Sequence, residues 1–267
     1  MLKSKKIIKY FAITFVSVII ASMIGGLVSF IVTIFDISEY KQSKIQKLYQ
    51  SNVVNATLDI ELKSTDLEIN LGDKLSISSD SKYITLNQDE NKIYITEKSH
   101  VSLSNNTSKL VITIPRDLMF DIVDIETGAG KINIEELETK RLNLDLGSGS
   151  VDIKNLIVVD RTKIEGGAGK FTIQNGTINN LKFTLGVGSA KLNSAILGNS
   201  TIKASVSKLD INLRGSIDDY EISIDKGIGL IYFNSDILKD KSVVGNGNNY
   251  LEITGGVGTI KITTDNN

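Results

Sequence analysis

Two patterns of apolar and polar residues divide the chain. Residues 10–35 carry no charge over a run of 26, and beyond about residue 53 apolar and polar positions alternate in short segments punctuated by glycine. The first pattern predicts one transmembrane helix, because about 20 predominantly apolar residues suffice to cross a bilayer. A secretory signal has a shorter apolar core of about 7–15 residues, so a retained anchor is expected in preference to cleavage near Ala21. Lys3, Lys5, Lys6 and Lys9 precede the span. The positive-inside tendency would hold residues 1–9 as a cytoplasmic tail in the cell membrane and leave the bulk of the chain outside. Residues 36–52 follow as a charged stretch with Ile37, Tyr40, Ile45 and Leu48 loosely at helical spacing, which reads as a stalk.

The second pattern repeats. Gly128-Ala129-Gly130, Gly147-Ser148-Gly149, Gly167-Ala168-Gly169 and Gly186-Val187-Gly188 lie 19, 20 and 19 residues apart. Ser205-Val206-Ser207 keeps the register, and Gly227-Ile228-Gly229 and Gly256-Val257-Gly258 follow after longer insertions. Three residues before each motif stands an apolar side chain: Ile125, Leu144, Ile164, Phe183, Ile202, Ile224 and Ile253. The fourth and sixth positions after the motif's first residue are apolar too, from Ile132 and Ile134 in the first copy to Ile260 and Ile262 in the last. The residue between those two is mostly polar, so each flank alternates with the period of two of a half-buried strand. Inward offsets are odd before the motif and even after it. The alternation therefore slips by one residue inside the motif, where glycine permits a bend or bulge.

No single repeat of this kind can bury its apolar positions, whereas like coils stacked about 4.8 Å apart bury them against one another. The expectation is an all-β domain over 53–267, a β-solenoid or β-roll of stacked two-strand repeats of roughly 19 residues with parallel ladders. Within it, 53–115 reads as an irregular first part, with short strands over 58–62, 67–71, 75–78, 83–86, 92–96 and 110–114 that suit capping coils, and 116–267 as the regular part. Pro115, the single proline, ends a strand run, as a residue without the ladder donor must. The chain stops at Asn267 almost directly after the last apolar pair. The last coil in sequence would then be the open end of the stack, inviting strand addition and self-association.

With those residues in view, the chain resembles the bacterial putative-adhesin family of uncharacterised β-strand-repeat domains, whose members are often fused to a membrane span. Leu110-Val111-Ile112-Thr113-Ile114-Pro115 and the repeats over 122–134 and 142–153 carry the resemblance, which covers residues 53–267. It implies a cell-surface β-solenoid, with adhesion as the family's label, and some similar proteins look linked to envelope-stress responses.

Composition removes several chemistries. The 30 basic and 31 acidic residues leave a net charge of −1, so no global field favours nucleic acid. The absence of cysteine removes disulfides, thiolate metal sites, a thiol nucleophile and a lipidated N-terminal cysteine. Each glycine motif leads into another strand, whereas a dinucleotide fingerprint leads into a helix. Gly166-Gly167-Ala168-Gly169 and Gly255-Gly256-Val257-Gly258 share the glycines of a calcium-binding nonapeptide, but Phe171 and Ile260 stand where its aspartate is needed. His100, the one histidine, lies in a polar stretch and reads as an ordinary loop residue.

One column is acidic. Glu126, Asp145 and Glu165 occupy the second position before the motif in three successive coils, which would stack them about 5 Å apart, near the spacing of a retaining glycosidase pair. Lys163 and Lys182, two residues nearer the N-terminus in their coils, would offset part of the repulsion, and the plain reading is a solvated face. Cation or cationic-polymer binding and catalysis are the sharper readings. The expectation is thus no catalytic residue, no cofactor and no metal, with the glycines structural. The leading function is a non-enzymatic, membrane-anchored surface module that binds a cell-wall polymer, an envelope protein or itself. The alternative is an envelope-stress sensor acting with a membrane signalling partner, and a third is an enzyme on envelope glycans.

Overall fold

Alternating apolar residues produce strands almost throughout the residues that a computed structural model describes, 46–51, 56–99 and 107–266. These belong to one compact unit, Ser43–Asn267. The expected span over 10–35, the basic tail and His100 lie outside the described residues. Among the described residues no helix is long and apolar enough to cross a membrane.

The strands in chain order are β1 (Gln46–Ser51), β2 (Thr57–Leu62), β3 (Asp66–Gly72), β4 (Leu75–Ser79), β5 (Ile84–Asp89), β6 (Lys92–Glu97), β7 (Lys109–Pro115) and β8 (Phe120–Ile173). They continue as β9 (Gly176–Asn179), β10 (Leu181–Leu197), β11 (Asn199–Ser216), β12 (Tyr220–Phe233), β13 (Asp236–Ile237), β14 (Ser242–Gly245) and β15 (Asn249–Asn266). β1 falls inside the segment expected to be a stalk and pairs antiparallel with β4, so these residues are part of the sheet.

Stacking is parallel and in the expected register. Phe183 lies between Ile164 and Ile202, and Ala190 between Phe171 and Leu209. The three apolar columns are buried, with Phe233 in the outermost coil only partly so. Strand pairing runs through the glycine motifs and skips one residue there, as between Leu185 and Val187, so each coil is a bent ribbon in which the motif is a corner. A further wall, absent from the two-strand expectation, follows the second corner: Leu156 and Val158 pair with Gly176 and Ile178, and Ile178 with Ile196. Amides hold that corner in a ladder along the stack, Asn155 Nδ2 donating to Glu136 Oε2 at 3.0 Å and Asn175 Nδ2 to Asn155 Oδ1 at 3.1 Å.

Column volumes compensate one another. Phe171 replaces the aliphatic residue of its column, and Gly166 makes room for its ring, against which a Cβ on Gly166 would press at 2.6 Å. Phe183 meets that ring edge-on, centroids 5.5 Å apart, with the small Ala190 beside it in the next coil. A methyl at Gly166 would overpack the site, which commonly costs about 1–3 kcal/mol.

Chain order and spatial order part at both ends. The stretch 53–115, expected to be irregular with short strands as capping coils, supplies two coils in register: Ile95, Ile60 and Ile125 continue one column, and Leu110, Leu67 and Ile132 another. The earlier coil in sequence, β2–β3, is the inner of the two. At the far end β15 inserts between β11 and β12, with Ile253 between Ile202 and Ile224. This corrects the expectation that the last coil in sequence is the open end: the final strand is paired along both edges, and β12 is outermost. An edge left on β11 or β12 alone would strand two rows of backbone groups, and β15 satisfies both.

Candidate functional site

The corners fix what each coil presents. Behind the motif the backbones of successive coils approach closely: a Cβ on Gly149 would run into the Gly130 carbonyl oxygen, and Gly149 has φ 133°, a conformation that side chains rarely adopt. The glycines are therefore needed for close approach as well as for the bend. Their middle residues point outward, while the columns on either side alternate between core and solvent.

The acidic column is real and longer than the sequence suggested. Glu61 of β2 lies directly opposite Glu126, and Thr184 directly opposite Glu165. Glu126 and Asp145 are exposed, and Glu165 is half-exposed. Beside it, Asn143 Nδ2 donates to Asp124 Oδ2 at 3.4 Å, which sets successive coils in register on this face. Lysines close the column at both ends. Lys163 Nζ sits 2.7 Å from Glu165 Oε2. The hydrogen bond from Lys163 holds the Glu165 carboxyl below the ordinary carboxylate range. The hydrogen bond to Glu165 raises the Lys163 ammonium against the opposing effect of desolvation, with the fields of Glu165, Asp145 and Asp124 adding to the rise. Lys63 is raised in the same way by its hydrogen bond to Glu61 and by the field of Glu126.

This arrangement is an outer face whose carboxylates are partly offset by lysine. Catalysis by paired carboxylates needs one acid held protonated by its surroundings, and the shift resolved here, at Glu165, runs in the opposite direction. Among the described residues no cluster of three or more His, Asp or Glu side chains converges to hold a metal. Depressions form elsewhere, one at the corners of β12 and β15 and one between the turns Leu71–Asp73 and Pro115–Asp117.

One surface escaped the sequence reading. The middle residue of the corner motif is Ala129, Ser148 or Ala168 in the first three copies, then Val187, Val206, Val257 and Ile228 in spatial order. The last four are exposed by 55%, 50%, 49% and 76%. The change from small to aliphatic was visible in the motifs, but its meaning depended on knowing that β15 lies between β11 and β12.

The Toastrack DUF4097 family matches residues 54–239, which takes in the coils from β2 to β12. The chain belongs to the Toastrack DUF4097 family. Several solved bacterial proteins are similar to it at low identity. A putative cell adhesion protein from Clostridium sporogenes is 16% identical, with 83% of this chain and 98% of that one covered and a TM-score of 0.41. A putative adhesin from Bacteroides fragilis is 18% identical, covering 82% and 97% with a TM-score of 0.41. Another from Parabacteroides distasonis is 13% identical, covering 82% and 97% with a TM-score of 0.46. No curated protein matches the sequence.

Proposed function

We propose that this Toastrack chain is a non-enzymatic binding module on the outside of the cell membrane, held by a helix over 10–35 and presenting its stacked coils to envelope polymer or protein. The observation that carries this reading is the exterior of the stack. Outward positions recur every coil at about 4.8 Å as ladders of Asn, Thr, Lys, Asp and Glu. Such ladders suit an extended, repetitive ligand that can touch several coils at once, and many weak contacts then sum to useful avidity. The acidic column belongs to this exterior as a contact surface, with Glu126 and Asp145 its most accessible members.

The test is protease treatment of intact cells followed by crosslinking and mass spectrometry of captured partners. Removal of residues 56–266 by external protease, with wall polymer or envelope protein captured, is the expected result. Protection of the domain in intact cells would overturn the topology, and capture of nothing but a membrane signalling protein would replace the adhesion reading with a sensory one.

A further inference from the structure

We infer that the apolar corner ridge ending in the outermost coil, β12, is an interface through which two copies of this chain associate side by side. The inference rests on the proposed binding role and names one partner and one face for it. In the copies that precede β12 in sequence, the outward positions three and five residues after the start of the corner are polar or glycine-adjacent: Lys131 and Asn133, Ser150 and Asp152, Lys170 and Thr172, Ser189 and Lys191, Lys208 and Asp210. β15 follows suit with Thr259 and Lys261. In β12 the same two positions are Leu230 and Tyr232, and Leu230 is 46% exposed. The short strand β13 adds Ile237, which sits opposite Tyr232 and is 64% exposed.

These side chains join the corner ridge. Val187, Val206, Val257 and Ile228 lie side by side across adjacent strands, and Leu230 shares the depression beside Ile228 and Val257. Together with Ile237 they expose on the order of 500 Å² of apolar surface, at the upper end of what a monomer leaves uncovered. That is a large share of the ~800 Å² each partner contributes to a standard interface.

Two observations favour a second copy as the occupant. The rim carries both signs, Lys203, Lys208 and Lys261 against Asp225 and Asp236, all exposed, so opposite charges can meet when the patch faces its own image. An isologous contact needs such a self-complementary surface. The strands that the chain itself lays on β12 are also short: β14 lies along Glu221–Ile224 and β13 along Tyr232–Phe233.

The experiment uses the full chain in mild detergent, followed by sedimentation velocity over a wide concentration range. A reversible dimer is expected, and the double variant Ile228→Lys with Leu230→Lys should weaken it at least about thirtyfold while leaving the circular dichroism spectrum and melting curve unchanged. Because the chain has no cysteine, Ile228→Cys introduces a single thiol that a short bis-maleimide should crosslink into dimers. Ser148→Cys, at the same corner position in the second copy, should not crosslink. A monomer at every concentration overturns the inference, as does equal crosslinking at both positions. So does binding of Ile228 to phosphatidylcholine vesicles in place of a second copy. Each of these failures leaves the surface-binding reading to its own test, accessibility and capture on cells.

Discussion

The two ends of the stack solve the same problem in different ways. Each is a place where coils run out and a corner or an edge loses its neighbour, and at each the inner coil comes from a segment that is out of chain order. At the leading end the loss is sealed. β5 pairs with β6 along its whole length, β4 pairs with β7, and β1 pairs with β4. The corner at Lys63–Thr65 has no glycine corner above it, and the Glu97 carboxylate, 1% exposed, takes the place of the missing carbonyls. Glu97 Oε2 accepts from the backbone N–H of Lys63 at 2.7 Å, Ser64 at 3.0 Å and Thr65 at 3.1 Å. At the trailing end two short strands cover parts of β12, and apolar side chains face out. One end is closed by internal hydrogen bonds, whereas the other leaves Ile228, Leu230 and Ile237 exposed.

The interior sets the scale for breaking this comparison. Gly188, with φ 143° and the Gly169 carbonyl where its Cβ would be, sits in mid-stack. Gly188→Ala should cost about 4 kcal/mol or more, at the far end of what single substitutions do, as measured by denaturant unfolding. A small loss would mean that the coils can part locally and that neither end is special.

Glu97→Ala should cost about 3 kcal/mol, because three backbone N–H groups, that of Thr65 buried, lose their shared acceptor. Burial alone would push this carboxyl up, but the bonds from Ser64, Lys63 and Thr65 outweigh it and hold it below its ordinary value. A lowered folded value means stability that is present in full above the ordinary glutamate value of about 4.3 and is lost as pH falls through the folded one. Glu97→Gln should flatten the acid limb of the stability curve relative to the parent; an unchanged limb would assign acid sensitivity to other groups.

At the trailing end the corresponding substitution should be nearly silent in the fold. Ile228→Lys replaces a side chain 76% exposed, and its effect on unfolding free energy should stay within about 0.5 kcal/mol. A destabilisation as large as that of Glu97→Ala would make the corner a structural cap and erase the contrast. Smallest of all, Glu126→Gln with Asp145→Asn should shift stability by no more than about 0.5 kcal/mol, upward at low salt where like charges repel. Melting curves at low and high salt would reveal the sign.

Much of this was legible in the sequence. Corner spacing, the parity slip and the columns through Ile125, Ile132 and Ile134 define the coil, because a parallel in-register stack aligns each residue with its own repeat. Glu126, Asp145 and Glu165 were found the same way. The strands of the β2–β3 coil were legible too, but not their place in the columns, because the corner is Lys63-Ser64-Thr65 and the glycine signal is missing; Glu61 therefore went unnoticed as the neighbour of Glu126. Position in the stack was the other blind spot, since local periodicity states what a coil contains and says nothing of which coil lies next to it.

The sequence by itself determined the repeating unit: strand period, corner chemistry, inward columns and outward charge all follow from local residue order. Only the tertiary structure decided the order of the coils, the third wall and which surface is terminal. The pairing of β15 with both β11 and β12 is a contact between distant segments, selected because it satisfies two edges at once. No local pattern can specify that choice, and it turns Ile228 from one more corner residue into the exposed end of the stack.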